Sequence, residues 1–386
     1  MLWKLVKRFP RFYYRLSEYA MTNTTPSALT RRAAIGLAGT GMIAVAPGTS
    51  SVRASDKLKR TLVLGGGGIK GAYQAGAVKA VLKRGFRPHC ICGISVGALN
   101  AAFLADRASF LSKTLREYYV GLAKTIPARA NLNALVTWPF LGEELELFWL
   151  ENITGPQALV RKHTDAGTFI SVLFANFRGL LRVDPLRGLI DRELARSRIA
   201  NQNIEAFVGA VNVDKGTLIY FRNTDNYFRE GIIASSAVPI QMPVVNIDRG
   251  PHPGRYCDGG LVNILPIRKA LEEGSSHCIS IVCQSPTSDY KAIDKITNIT
   301  QVLARYSEIT SDRIIEDDVA FAKARSKVIV IRPKQPPNLD APTGAVYEID
   351  DFPQRLIKAM TVMGESDAND ALDDLRNKFV DDGFNL

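Results

Sequence analysis

Two short stretches constrain this chain more than anything else in it. Each is a strand signal that runs into glycines and out into a helix signal. The first is "LVLGGGGIKGAYQAG" at Leu62–Gly76, and the second is "CGISVGALNAA", which begins at Cys92. Thr61–Leu64 is rich in β-formers and is stopped by Gly65. "GAYQAGAVKAVLKRG" predicts a helix with Tyr73, Ala77, Val78, Val81 and Leu82 on one apolar face, Lys79, Lys83 and Arg84 facing away, and Gly85 at its end. His89–Gly93 predicts a second strand, and "VGALNAAFLA" a buried helix of small and apolar residues. Strand, turn and helix, twice over, is the layout of an α/β protein with parallel strands and right-handed crossovers.

Gly93-Ile94-Ser95-Val96-Gly97 is a G-x-S-x-G. A serine between a strand and a helix sits on a sharp turn, and small flanking residues remove the clashes of that turn. Its hydroxyl then stands at the carboxyl end of the sheet, beside a helix amino terminus that favours developing negative charge. The plain alternative is a helix-capping serine without chemistry.

The glycine cluster has three readings. A P-loop needs Gly-Lys-Ser/Thr, but Lys70 is followed by Gly71 and Ala72, so the magnesium-binding hydroxyl is missing. Gly66, Gly68 and Gly71 obey the dinucleotide pattern G-x-G-x-x-G, but "FRPHCICG" lacks the acidic residue that would hold a ribose. The third reading is an oxyanion hole, in which the amides of Gly66, Gly67 and Gly68 turn inward toward the negative oxygen of an acyl-transfer intermediate. Lys70 either holds this loop, meets a substrate phosphate, or is a surface lysine.

A serine nucleophile needs a proton acceptor. The chain has four histidines, His89, His163, His252 and His277. His89 and His277 fall at the amino-terminal ends of predicted strands, and His163 lies in a polar stretch. His252, in the turn "RGPHPG", is the one histidine worth testing. Asp258, in "GRYCDGGLVNILP", is the better candidate. Gly259 and Gly260 put it on a tight turn after a short strand, and a partly buried carboxylate of raised pKa can take a proton directly from a serine. A turn-capping aspartate is the plain alternative.

Taken together, "GGGGIKGAYQAG", "GISVGALNAA", "ASSAVPI" (Ala234–Ile240) and "DGGLVNILP" (Asp258–Pro266) resemble patatin-like phospholipases over roughly residues 60–283, with an extension through the helical tail to about 375. The resemblance implies a three-layer α/β/α sandwich with a mostly parallel central sheet. It implies a lipid acyl hydrolase of phospholipase A type, with Ser95 as nucleophile and Asp258 as base. Gly66, Gly67, Gly68, Lys70 and Gly71 match the oxyanion loop, Gly93 and Gly97 flank the nucleophile, and Ser235, Ser236 and Pro239 match a supporting segment. No cofactor or metal is implied, because amides meet the charge, and calcium dependence is not expected. Ile94 stands where the family often has Thr, and Asn263-Ile264-Leu265-Pro266 departs from its Asn-Asn-x-Pro. A general carboxylesterase or lysophospholipase, and an inactive lipid-binding scaffold of the same fold, are the rival readings.

Charge is uneven. Residues 1–60 hold eleven Lys/Arg and two Asp/Glu, so most of the net +11 sits there, and the remainder is not a basic nucleic-acid surface. Arg31-Arg32, the weakly apolar run Ala33–Ala46 and Val52-Arg53-Ala54 resemble a twin-arginine export signal. Residues 1–59 are therefore expected to be a targeting leader or a flexible segment, and residues 60–386 one catalytic domain. Export to the periplasm or medium stays open against a cytoplasmic or peripheral-membrane life, and the run is short of the about 20 residues of a membrane span. Residues 107–200 form a helical insert with Trp138, Phe140, Phe148, Trp149, Phe174 and Phe177 spread through it, either a subdomain with buried aromatics or a cover that touches a bilayer. The oligomeric state is not legible. The five cysteines read as buried free thiols, with Cys90 and Cys92 expected on opposite faces of their strand.

Overall fold

The computed structural model describes residues 59–121, 138–153, 159, 161–162, 181–194, 204–239, 241–286, 299–324, 327–334 and 354–376. Residues 1–58 of the expected leader, His163, Phe174 and Phe177 lie outside these residues.

The strands are β1 (Arg60–Leu64), β2 (Cys90–Ile94), β3 (Arg161–Lys162), β4 (Leu181–Arg182), β5 (Glu205–Asn212), β6 (Thr217–Arg222), β7 (Val245–Ile247), β8 (Gly254–Asp258), β9 (His277–Ile281) and β10 (Lys327–Ile331). The helices are α1 (Gly71–Lys83), α2 (Val96–Gly121), α3 (Trp138–Asn152), α4 (Asp184–Glu193), α5 (Phe228–Ser235), α6 (Ile267–Glu272), α7 (Ile299–Lys323) and α8 (Gln354–Arg376). Eight strands form one sheet in the order β10-β9-β1-β2-β5-β8-β7, with β6 on the other edge of β5. The run from β10 to β5 is parallel, and the pairs β5–β6, β5–β8 and β7–β8 are antiparallel. The connections explain the split: β1 and β2 are joined through α1, and β9 and β10 through α7, whereas β5 and β6 are joined by a tight turn with Gly216 at φ +66°. Helices cover both faces of this mixed sheet, so the architecture is the three-layer α/β/α sandwich. No helix among the described residues is long and apolar enough to cross a membrane.

One face of the sheet carries Val63, Cys90, Cys92, Phe207 and Cys278, and these pack with Ile267 and Ala270 of α6 and Ile315 and Val319 of α7. Cys90 and Cys92 share this face, their sulfurs 3.9 Å apart. This corrects the opposite-face expectation, because residues i and i+2 of a strand return to the same side. All five cysteines are buried and free.

The other face carries α2, which packs on β2 and β5. Helix α1 packs chiefly on α8 and α3. It is not the amphipathic surface helix that its periodicity predicts, since every residue from Gly71 to Val78 is buried. Its glycines explain how two helices fit so close. A Cβ on Gly76 would lie 1.8 Å from the carbonyl oxygen of Thr361, and one on Gly364 would lie 2.0 Å from that of Tyr73. Nor does Lys79 simply face water, because it bridges Glu146 of α3 at 2.9 Å and Glu365 of α8 at 2.7 Å. Of the aromatic residues of the insert, Phe148 and Trp149 are buried.

Candidate active site

Strand β2 ends at Ile94 and helix α2 starts at Val96, so Ser95 alone makes the turn between them. Its φ is +56°, the one non-glycine value in the left-handed region among the described residues. That conformation is costly for a residue with a Cβ and persists only where the surroundings enforce it. A Cβ on Gly93 would lie 2.2 Å from the carbonyl oxygen of Gly97, and one on Gly97 would lie 2.1 Å from that of Leu64, so the turn is pressed against β1 with no room for side chains. The Ser95 N–H donates to Ser235 Oγ at 2.9 Å, and Ser235, at the end of α5, is fully buried.

The sheet register brings Asp258 to this turn. Along one edge of β5, Glu205–Gly209 pair with Cys90–Ile94 of β2. The next residue on that edge, Ala210, pairs with Asp258, the last residue of β8. Consecutive strand residues are about 3.4 Å apart, so β2 and β8 meet nearly end to end along a shared ruler. Gly259 seals the junction, since a Cβ there would lie 2.5 Å from the carbonyl oxygen of Gly209 and 2.8 Å from Ile94 Cδ1.

Asp258 is 4% exposed. Its Oδ1 accepts from the Gly260 N–H at 2.7 Å, and its backbone N–H donates to Ala237 O at 2.9 Å. Burial pushes its carboxyl up to about 6, against the opposing pull of hydrogen bonds from the Gly260 amide and the Ser95 side chain. The Ser95 side chain therefore stands beside the Asp258 carboxyl.

The glycine turn lies against Ser95, because a Cβ on Gly66 would come within 3.3 Å of Ser95 Cβ. Gly66 departs from its expected part as an oxyanion donor. Its N–H donates to Ile264 O at 3.0 Å, just as Gly65 N–H donates to Ile281 O at 3.1 Å, and both amides are thereby consumed in tying the turn down. Gly68, exposed and at φ +57°, has open space where a Cβ would be. Lys70 N–H closes the turn on Gly67 O at 3.1 Å, and Gly71 starts α1.

Sequence reasoning misses a buried polar chain behind this turn. Gln74 Nε2 donates to Gly65 O at 2.7 Å, Asn100 Nδ2 donates to Gln74 Oε1 at 2.9 Å, and Trp149 Nε1 donates to Asn100 Oδ1 at 2.9 Å. Its signal lies in "GAYQAG" and "VGALNAA", where one amide residue interrupts each run of small and apolar residues. The anchor of the aspartate loop is missed as well. Asn263 Nδ2 donates to Asp318 Oδ2 of α7 at 2.5 Å, and burial pushes that carboxyl up to about 6.

Of the supporting segment, Ser235 touches the serine turn, Ser236 Oγ turns back to Ile232 O at 3.0 Å, and Pro239 is half-buried. The described histidines stand elsewhere. His89 precedes β2, and its Nδ1 accepts from the Arg60 N–H at 3.2 Å. His277 opens β9 with Nδ1 3.0 Å from Ser276 Oγ. His252 is exposed and lines a cavity of about 110 Å³ with Tyr220, Tyr227 and Arg249, and neither Ser95 nor Asp258 lines it.

The structure thus sets a serine elbow beside a buried carboxylate at the carboxyl edge of the parallel strands of an α/β/α sandwich. A family model described as Patatin-like phospholipase matches residues 62–271, more than half of the chain, which belongs to that family. Membership makes it a protein of a lipid acyl hydrolase family, with lipids as the substrate class. Among solved structures it is similar to VipD from Legionella pneumophila, at 14% identity and a TM-score of 0.37, covering 82% of this chain and 67% of that one. No curated protein matches.

Proposed function

We propose that the chain is a phospholipase A type enzyme that hydrolyses the carboxylic esters of phospholipids through a Ser95–Asp258 dyad. The observation that carries this reading is the register of β5, which brings a serine in a left-handed turn together with a buried carboxyl pushed up to about 6. A base of that pKa is ionised at neutral pH yet far more basic than an ordinary carboxylate.

In the first step Ser95 Oγ attacks the acyl carbonyl carbon while its proton passes to Asp258. The carbonyl electron pair moves onto oxygen, where the amides of Gly67 and Gly68 and the amino terminus of α2 meet the charge. The intermediate collapses, the ester C–O bond breaks, and the lysophospholipid oxygen takes the proton back from Asp258. In the second step water gives its proton to Asp258 and attacks the acyl-enzyme, releasing the fatty acid and restoring Ser95.

The test is hydrolysis of mixed phospholipid vesicles and of a short-chain chromogenic ester by the parent, Ser95→Ala and Asp258→Asn, each with and without a calcium chelator. Both variants should lose at least ~10³ in kcat, because members of such a unit fail together, and the chelator should change nothing. A parent inactive on both substrates, or a Ser95→Ala variant as active as the parent, sinks the proposal. Preference for the soluble ester over vesicles would instead favour a general esterase.

A further inference from the structure

We propose that Trp149, Asn100 and Gln74 are positioning residues for the glycine turn, so that helix α3 of the middle insert controls the shape of the oxyanion site from behind. The inference rests on the hydrolase reading above.

The chain of hydrogen bonds has one direction only. An indole N–H can donate and cannot accept, whereas an amide side chain can be turned either way. Trp149 Nε1 therefore fixes which end of Asn100 faces it, namely Oδ1, at 2.9 Å. That leaves Asn100 Nδ2 to point at Gln74 Oε1 at 2.9 Å, and also at Gly71 O at 3.2 Å. Gln74 must then present Nε2 to Gly65 O at 2.7 Å, with Ile281 O at 3.4 Å on its other side. Gln74, Asn100 and Trp149 are each fully buried, so water is not at hand to repair a broken link.

The geometry ties this chain to the turn at both ends. Gly65 precedes Gly66, which lies against Ser95, and Gly71 ends the same turn. The same two amide side chains thus hold the carbonyls on either side of the turn. A Cβ on Gly71 would lie 2.4 Å from Trp149 Cζ2 and 2.3 Å from Val96 Cγ2, so the indole also packs directly on the end of the turn. Without the indole N–H, buried Asn100 Oδ1 loses its donor, and the links from Asn100 to Gln74 and Gly71, and from Gln74 to Gly65, are held less tightly.

The experiment uses the full chain with Trp149→Phe, which keeps a buried ring and removes the donor, Gln74→Met, which keeps the length and removes the amide, and the double variant. Active sites are titrated with a fluorophosphonate, and kcat per titrated site is read on the soluble ester. Each single variant is expected to lower kcat ten- to a hundredfold with KM within about twofold, less than outright loss of an oxyanion donor at about 10²–10³. The double variant should be no worse than Gln74→Met, because the links act in series. Hydrogen exchange supplies a readout that needs no activity: amides of Gly66–Lys70 should exchange at least tenfold faster in both variants, with β5 unchanged. Unchanged kcat per site with unchanged exchange in the turn overturns the proposal. So do additive losses, or an activity loss that merely follows the number of titratable sites. Ser95→Ala, run alongside, reports separately on the hydrolase reading, and the exchange comparison stands whatever that control does.

Discussion

The Ser95 turn and the Asp258 turn end two strands that meet along β5, but they hold the two proposed reactive groups at different cost. Ser95 is strained in its backbone, at φ +56°, with an ordinary neutral hydroxyl. Asp258 is relaxed in its backbone, at φ −51° and ψ 132°, and carries the strain electrostatically, as a carboxyl stripped of water. The difference is instructive. A nucleophile needs direction, which a turn supplies. A base needs a raised pKa, which burial supplies.

The largest consequence concerns stability. A carboxyl raised from 3.8 to about 6 on folding stabilises the native state below the unfolded pKa and loses that contribution as pH rises through about 6. Asp258→Asn removes the ionisation and keeps an acceptor for the Gly260 amide. It should therefore be more stable than the parent at pH 8, by up to about 3 kcal/mol, while losing activity. The gain should shrink toward zero near pH 4. Urea unfolding of both proteins across this range checks it, and equal midpoints at pH 8 would remove the electrostatic half of the contrast.

Next in size is the acid limb of the reaction. In the proposed dyad Asp258 must be ionised to take the serine proton, so kcat/KM should fall about tenfold per pH unit below about 6. A profile flat to pH 4.5 on the soluble ester would place the base elsewhere.

The smallest effect isolates the backbone. Ser95→Gly and Ser95→Ala both remove the hydroxyl, but only Ala keeps a Cβ in the left-handed region. The Gly variant should be the more stable by about 1 kcal/mol. Identical thermal midpoints would mean that the turn relaxes once the hydroxyl is gone.

Much of this site is legible in the amino-acid sequence. The strand–glycine–helix junctions at Gly65–Gly71 and Gly93–Gly97, and the Asp-Gly-Gly turn, are local signals, because short-range sterics and β-propensity decide them. For helix α1 the sequence pattern predicts the extent correctly and the environment wrongly. Its lysines suggest a wet face, and the carboxylates that receive Lys79 come from α3 and α8, distant in sequence. The part of Gly66 is hidden for a related reason. Whether an amide is free depends on what carbonyl lies opposite, and here it is Ile264, from the loop after Asp258.

The sequence by itself determined the candidate residues and the turns that hold them, since a left-handed serine between glycines and a carboxylate before two glycines are properties of a few neighbouring residues. Only the tertiary structure decided that the two meet. That meeting follows from the register of β5, whose edge passes from β2 to β8 between Gly209 and Ala210. It also decided the proton affinity of Asp258 and the direction of the Trp149–Asn100–Gln74 chain. Burial and hydrogen-bond partners are set by segments far apart in the chain, and no local pattern encodes them.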